Sequence, residues 1–256
     1  MPDADWEADY QHVGDHRWLT AQGLFVAEGR FIVRRLLESH RFRIKSVVVT
    51  PAALQGLSDA LLADTPVHVL EQDVLNRITG FNFHRGCLAL AHRGPGTGPV
   101  GADEARRLLA LEGVGNPDNV GGLFRVAAAF GVGGLLLDPA SADPFYRKAI
   151  RTSMGAVLDV PFERVPDWPK ALGRFRSRGF DVVALTPREE ARPLPEYVAG
   201  GPPARRIVIV VGAEGSGLTE EALAEATERV RIPISPGVDS LNVTVAAGIA
   251  LALLAV

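Results

Sequence analysis

The chain has 256 residues, of which 47% are hydrophobic and 22% charged, enough apolar material for one large domain or two modest ones. The formal net charge of −3 excludes a globally basic nucleic-acid binder, so any such contact would depend on local basic patches. The single cysteine, Cys87, excludes an intramolecular disulfide, and its setting in GCLALAH is typical of a buried strand thiol. No signal-peptide pattern opens the chain, and the apolar run from Leu241 to Val256 is shorter than the roughly 20 residues that span a bilayer. We therefore expect a globular protein of the cytoplasm.

The first part of the chain alternates helices and strands, which predicts a small α/β domain over residues 1–92. His12 and His16 have the spacing of a helical metal site, but no third ligand is near, and no metal is predicted. Phe31, Ile32, Leu36 and Leu37 have helical periodicity. The elements expected after this helix are a strand at Lys45–Val49, a helix at Ala52–Leu62, a strand at Val67–Leu70, a helix at Asp73–Thr79 and a strand at Cys87–Ala91.

Six basic residues lie close together on and after the first of these helices, with one acidic residue, Glu38, among them. A solvated helix face would explain the pattern, and a contact with nucleic-acid phosphates is the alternative. The six are Arg30, Arg34, Arg35, Arg41, Arg43 and Lys45.

A Gly- and Pro-rich stretch, residues 93–101, is interpreted as a linker. Strands and helices alternate again over residues 102–256, which indicates a mostly parallel sheet covered on both faces. The elements expected here are a helix at Ala102–Leu108 and strands at Leu109–Val114, Leu135–Leu137, Val160–Val165, Asp181–Leu185 and Ile207–Val211, with a basic helix at Trp168–Arg178.

Three polar stretches in this second part carry the candidate chemistry. The first, NPDNVGGLFRVAAAFGV, opens a helix, which Asp118 or Asn119 could cap. The second, IVIVVGAEGSGLTEEAL, is a strand and a glycine-rich loop before a helix capped by Thr219. The third is the C-terminal stretch RIPISPGVDSLNVTVAAGIALALLAV, in which we expect a short strand and then a helix that is apolar on every side. Burial of that helix would require partners for the polar groups at its start, although a simple helix cap by Asp239 or Ser240 is the alternative.

In this order and spacing the three stretches resemble the three motifs of the SpoU (TrmH-like) family of RNA ribose 2′-O-methyltransferases, within the SPOUT superfamily. The resemblance implies an α/β catalytic domain at residues 102–256 that contains a trefoil knot and forms a homodimer, with active-site parts contributed across the interface. It implies S-adenosylmethionine (AdoMet) as methyl donor. Residues 1–92 resemble, more loosely, the L30e-like RNA substrate-binding domain that precedes the catalytic domain in many members.

The resemblance also assigns site residues. Arg125 matches the proposed catalytic arginine, either as a base toward the 2′-hydroxyl or as a group that orients it; the second role is easier, because a guanidinium stays protonated near neutral pH. The matched catalytic set is Asn119, Arg125, Glu214, Ser240 and Asn242. The positions expected to hold AdoMet are Thr186, Gly212, Ile232 and Leu241, and those expected to contact RNA are Arg30, Arg34 and Arg35.

We expect a ribosomal RNA substrate of the 23S type, because the extra N-terminal domain favours it. Transfer RNA is the first alternative, and a non-catalytic RNA-binding or ribosome-assembly protein of the same fold is the second. A nicotinamide enzyme is disfavoured, because GAEGSGL is not GxGxxG and no acidic residue follows at the distance a ribose contact needs.

Overall fold

The structure is a computed structural model, which describes residues 6–61, 64–83, 85–94, 100, 105–200 and 206–254. The chain forms two compact units. Unit 1 comprises the described residues of Met1–Pro95 together with Pro144–Asp159, and unit 2 those of Gly96–Asp143 and Val160–Val256. The segment Pro144–Asp159, which belongs to the second part in sequence, is thus packed with the first.

The helices and strands follow one another along both units. The helices are α1 (Trp6–Gln11), α2 (His16–Ala21), α3 (Arg30–Ser39), α4 (Pro51–Leu54), α5 (Gln72–Thr79), α6 (Pro117–Ala129), α7 (Arg147–Thr152), α8 (Ala171–Ser177), α9 (Leu194–Ala199), α10 (Glu220–Glu225) and α11 (Val243–Leu254), with a 3₁₀ turn at Ala156–Leu158. The strands are β1 (Leu24–Glu28), β2 (Ile44–Val49), β3 (Val67–Val69), β4 (Cys87–His92), β5 (Arg107–Glu112), β6 (Gly134–Leu137), β7 (Phe162–Arg164), β8 (Asp181–Leu185), β9 (Arg192–Pro193), β10 (Ile207–Gly212) and β11 (Glu228–Arg231).

Unit 1 is built on a four-stranded sheet in the order β1-β4-β2-β3. Strand β4 runs antiparallel to both β1 and β2, and β2 runs parallel to β3. Every residue of β1 is buried, because helices α2, α3 and α7 all pack against it. The unit is therefore a mixed α/β layer with its own apolar core.

Unit 2 is built on a seven-stranded sheet in the order β7-β6-β5-β10-β8-β11-β9, and all its pairings are parallel. Val210 of the central strand β10 pairs with Ala110 on one side and Ala184 on the other. The inner strands are continuous apolar runs, as expected for a parallel sheet covered on both faces. The predicted α/β class with a mostly parallel sheet is confirmed, while the trefoil knot and the L30e-like character of unit 1 stay predictions.

Several predicted elements before residue 109 are wrong in detail. Strand β1 was not anticipated, because LFVAE is too short and too evenly apolar to show a period. The helix expected at Ala52–Leu62 ends at Leu54 and continues as turns through residue 60. The helix expected at Ala102–Leu108 gives way to strand β5 from Arg107; residues 101–104 lie outside the described residues, as does most of the predicted linker.

The C-terminal stretch also differs from its prediction. The strand expected at Ile232 and Ile234 lies just before them, as β11, and both isoleucines belong to the following loop. Helix α11 is not buried on every side in the single chain, because Val245 is 51% and Leu253 39% exposed. A helix that is apolar all round and yet partly exposed has an unpartnered apolar face. Among the described helices, none combines the length and apolarity needed to cross a membrane.

Candidate active site

A cleft opens in unit 2 beyond the carboxyl ends of β8, β10 and β11, and we call it the carboxyl-edge cleft. Ligands of parallel α/β sheets bind at this edge, where the loops leave the strands. All four positions predicted to hold the cofactor line the cleft, together with the predicted catalytic residues Glu214 and Ser240. Its lining is Leu185, Thr186, Pro187, Val211, Gly212, Ala213, Glu214, Gly215, Gly217, Ile232, Ile234, Ser240, Leu241, Val243 and Ala246.

Glycines shape one wall of the cleft because the loop after β10 folds back onto its own start. The amide of Gly217 donates to the carbonyl of Ala213 at 3.0 Å, and a Cβ on Gly212 would lie 2.4 Å from the carbonyl carbon of Gly217. Gly215 and Gly217 have φ of 90° and 69°, in the left-handed region that glycine tolerates. The glycines of GAEGSGL are thus required by this backbone packing.

Glu112, at the end of β5, fixes the far end of the same loop. Its carboxylate is buried and accepts from Trp168 Nε1 at 2.8 Å, from the Thr219 amide at 2.9 Å and from Thr219 Oγ1 at 2.8 Å. Thr219 Oγ1 in turn accepts from the Ala222 amide at 3.2 Å, which confirms the predicted cap of α10. Sequence reasoning missed Glu112, since an acidic residue ending a strand has no distinguishing local pattern.

The three polar motifs meet in a hydrogen-bonded group that we call the amide cluster, formed by Asn119, Glu214 and Asn242. Asn242 Nδ2 donates to Asn119 Oδ1 at 3.0 Å and to Glu214 Oε1 at 2.9 Å. Its Oδ1 accepts from the Thr244 amide at 3.0 Å, so the same side chain also caps α11. The described residue that caps α11 is thus Asn242, rather than Asp239 or Ser240, and its place in the catalytic set stays a prediction. The cap of α6, by contrast, is Asn116 and neither Asp118 nor Asn119.

Small residues let α6 and α11 approach each other and bring the cluster together. A Cβ on Gly122 would lie 2.6 Å from Thr244 Oγ1, and Gly248 faces Val126. Thr244 Oγ1 also lies 3.5 Å from the carbonyl oxygen of Asn119, to which it donates. Close packing of these two helices thus sets the position of Asn119 relative to Asn242.

The cleft has few charges. Glu214 is the single ionisable group among the described residues that line it, and the remaining walls are apolar side chains, loop backbone and the hydroxyl side chains of Thr186 and Ser240. Apolar walls suit a flat, uncharged ring, and one carboxylate suits a cation. A nucleotide with several phosphates would meet no arginine or lysine here, which disfavours the nicotinamide alternative.

Arg125 is not part of the cleft. It lies on the exposed side of α6 and forms no hydrogen bond or ion pair with the described part of the chain. The single chain therefore brings together Asn119, Glu214 and Asn242, places Ser240 at the cleft, and leaves Arg125 apart.

The three arginines predicted to contact RNA have different environments in unit 1. Arg34 donates to Asp59 and Glu38, and Arg35 pairs with Asp159, so their charges are compensated internally. Arg30 is exposed and makes no such pair among the described residues.

Other candidate chemistry finds no support in the structure. Burial raises the pKa of the Cys87 thiol to about 12, which confirms the buried, unreactive cysteine. His12 stacks on Trp18, and His16 meets the edge of Tyr146. Among the described residues no group of three His, Cys, Asp or Glu side chains could hold a metal ion.

The family model of the SpoU rRNA methylases matches residues 106–252, which is more than half of the chain. The chain belongs to the SpoU rRNA methylase family. A Mycobacterium bovis protein described as a tRNA/rRNA methyltransferase is 42% identical over 234 residues, covering 90% of this chain and 80% of its own length. The 23S rRNA (guanosine-2′-O-)-methyltransferase RlmB of Acinetobacter baylyi is 30% identical over 192 residues, covering 72% and 76%. The AdoMet-bound rRNA methyltransferase of Sinorhizobium meliloti superposes with a TM-score of 0.82 at 25% identity, over 99% of this chain and 95% of that one.

The SpoU match spans the carboxyl-edge cleft, the amide cluster and Arg125. It also includes Glu112, which lies outside all three motifs. Glu112 acts on the loop after β10 through hydrogen bonds to residues far along the chain. A signal for it would have required knowing which strand and helix ends meet.

Proposed function

We propose that this SpoU protein transfers a methyl group from AdoMet to a ribose 2′-hydroxyl of ribosomal RNA. The observation that carries the proposal is the coincidence of the carboxyl-edge cleft with the amide cluster, in which residues from all three motifs join beside one cavity. The name of the Acinetobacter baylyi relative supports ribosomal RNA and 2′-O-transfer, and we propose that the reaction takes place in the cytoplasm.

The cleft fits AdoMet in its chemistry. Leu185, Ile232 and Leu241 would enclose the adenine and methionine parts, and the backbone of Gly212 together with Thr186 would supply hydrogen bonds. Glu214 would provide the negative charge that favours a cationic ligand. When bound, AdoMet supplies an activated methyl group on a good leaving group, so the protein has mainly to align the attacking oxygen.

The amide cluster performs that positioning. Asn242 is held by two acceptors, and because its Oδ1 also caps α11, the orientation of the amide is fixed. Ser240, exposed at the cleft two residues earlier, offers a hydroxyl that can donate to the ribose or accept from it. A polar group that is already fixed, as the amide of Asn242 is, loses little entropy when the substrate ribose is bound.

Arg125 is proposed to act in the site of a second copy of the chain. It lies outside the cleft of its own chain, on the helix that packs against α11, and α11 exposes Val245 and Leu253 as an apolar surface for a homodimer. In that position its guanidinium would grip the phosphate beside the target ribose and orient the hydroxyl.

Methyl transfer is tested with tritium-labelled AdoMet and two acceptor pools, ribosomal RNA and transfer RNA. Label that survives in alkali-resistant dinucleotides identifies 2′-O-methylation, because a methylated 2′-oxygen cannot attack the neighbouring phosphate. We expect such label in ribosomal RNA. Label confined to transfer RNA would show that transfer RNA is the substrate. RNA binding that needs no AdoMet and leaves no label in the RNA would support the non-catalytic alternative.

The shared site is tested by mixing two inactive variants, Arg125→Ala and Asn242→Ala, after subunit exchange. If Arg125 acts across the interface, mixed dimers contain one intact site, and the mixture regains about a quarter of the wild-type activity. If both residues act within one chain, no activity returns. Arg125→Ala alone is expected to bind AdoMet with unchanged affinity, measured by calorimetry.

A further inference from the structure

A groove in unit 1 exposes two large apolar side chains that the proposed chemistry does not use. Phe31, at the start of α3, is 58% exposed, and Met154 is 38% exposed. Both line the groove together with Glu28, Gly29, Arg30, Ile32, Arg34, Gly56 and Arg85. Large exposed apolar side chains grouped in a concave surface mark a binding site more often than isolated ones do. We call this the Phe31 groove.

The backbone around the groove is held in conformations that present these side chains. Met154 has φ of 53°, which is uncommon for a residue with a side chain. Its carbonyl accepts from Arg35 Nη1 at 3.1 Å, and Arg35 is itself paired with Asp159. One of the arginines predicted to bind RNA therefore supports the wall of the groove.

A glycine allows the opposite wall to close. Gly29 has φ of 90°, and a Cβ there would lie 2.9 Å from Cδ of Arg85. The absence of a side chain at Gly29 lets Arg85 lie against the β1–α3 turn, on the wall of the groove that Phe31 also lines.

The groove carries an uncompensated positive charge. Arg34 is paired with Asp59, and the buried Glu28 lies 3.8 Å from Arg147, measured from Oε2 to Nε. Arg30 and Arg85, in contrast, form no hydrogen bond or ion pair with the described residues. Two guanidinium groups without a partner among the described residues thus line the same groove as an exposed aromatic ring.

We propose that the Phe31 groove binds an unpaired nucleotide of the RNA substrate, with its base stacked on Phe31 and Met154 and its phosphate held by Arg30 and Arg85. This inference rests on the proposed function, since it places a recognition site for the same RNA on unit 1. Unpaired bases stack on exposed aromatic rings, and arginine binds phosphate through two parallel hydrogen bonds. An acidic peptide would use the arginines but would gain nothing from a stacked aromatic platform.

The test uses the full chain and a fluorescein-labelled oligoribonucleotide of about twelve adenosines, with affinity measured by fluorescence anisotropy at fixed salt. Phe31→Ala should weaken binding at least about fivefold, which is the lower end of the loss for one stacked base. Phe31→Trp should retain binding, and stacking should quench the fluorescence of the introduced tryptophan. Val69→Ala is the matched control, because Val69 is 46% exposed on β3 and lies outside the groove.

A second variant and the methylation assay separate the possible failures. Arg85→Ala should weaken oligonucleotide binding and lower the slope of log affinity against log salt by about one. In methyl transfer, Phe31→Ala should raise KM for RNA while kcat stays within about twofold. Unchanged affinity of folded Phe31→Ala, or no quenching in Phe31→Trp, would overturn the proposal even if the wild type methylates RNA. Oligonucleotide binding that depends on Phe31 in a protein without methyl transfer would support the groove and refute the proposed function.

Discussion

The carboxyl-edge cleft of unit 2 and the Phe31 groove of unit 1 differ in how many charges they contain and in how those charges are paired. The cleft is nearly uncharged, and its one carboxylate, Glu214, already accepts a hydrogen bond from Asn242, which also donates to Asn119. The groove contains arginines that are either paired inside the unit or left without a partner among the described residues.

The difference follows from what each surface has to recognise. A site that aligns a small ligand for a reaction benefits from side chains that are fixed before the ligand binds. Their conformational entropy has already been lost on folding, so binding does not have to reduce it further. A site for a polyanion benefits from available cations, whose attraction acts at longer range and weakens with salt. The following predictions test whether this contrast is real.

The largest effect is expected for Asn242→Asp. The new carboxylate still accepts from the Thr244 amide, so α11 stays capped, but it cannot donate to Asn119 or Glu214 and repels the latter. We expect methyl transfer to fall roughly 100-fold with a small change in melting temperature. Asn76→Asp is the control, because the bonds of Asn76 to Gln72 and Phe83 use its side-chain oxygen alone. A rate near that of the wild type would show that the cluster is only a helix cap.

Gly212→Ala should act on cofactor binding. A methyl group at this position meets the backbone of Gly217, which cannot move without reopening the loop, and overpacking of this kind costs about 1–3 kcal/mol. Calorimetric titration should therefore show AdoMet binding weakened about tenfold or more. Gly14→Ala serves as control, since a Cβ there meets no atom within 4 Å. Equal AdoMet affinity in both variants would place the cofactor away from this loop.

The sequence predicts the residues of the carboxyl-edge cleft better than it predicts the Phe31 groove. Gly212 and Asn242 could be predicted as site residues from the sequence motifs. The structure brings them to one edge of the predicted parallel sheet. The Phe31 groove could not be found, because it joins the β1–α3 turn to Arg85 and Met154, which lie far apart in the chain. Residues of the segment Pro144–Asp159 read as part of the second domain, and only packing shows that they belong to unit 1.

Errors over single elements have a similar origin. Periodicity detects a helix or strand that is buried on one side, so the wholly buried β1 had no signal. Composition predicts that an apolar helix such as α11 is covered, but it does not separate burial within the chain from burial against a second copy, and the single chain leaves Val245 and Leu253 exposed. Long-range contacts decide both cases.

Glu112→Gln should produce an intermediate effect, on stability more than on rate. The carboxylate faces three donors from Trp168 and Thr219, whereas an amide would turn its own N–H groups toward one of them. A mismatched buried polar group costs about 1–3 kcal/mol, which urea denaturation can measure. Glu221→Gln, on the exposed first turn of α10, should change stability by less than about 1 kcal/mol. Equal losses in the two variants would show that Glu112 does not hold the loop.

The smallest effect is expected for Arg34→Ala, and it tests the charge compensation of unit 1. The pair with Asp59 is largely exposed, so its loss should change the free energy of unfolding by less than about 1 kcal/mol. Because Arg34 is already paired, the variant should also weaken oligonucleotide binding less than Arg85→Ala does. Asp59→Asn should release Arg34 and strengthen that binding about twofold to fivefold, and the gain should disappear when Arg34→Ala is added. If Arg34→Ala instead matches Arg85→Ala, Asp59 does not withhold this arginine from RNA, and the division between paired and available arginines is wrong.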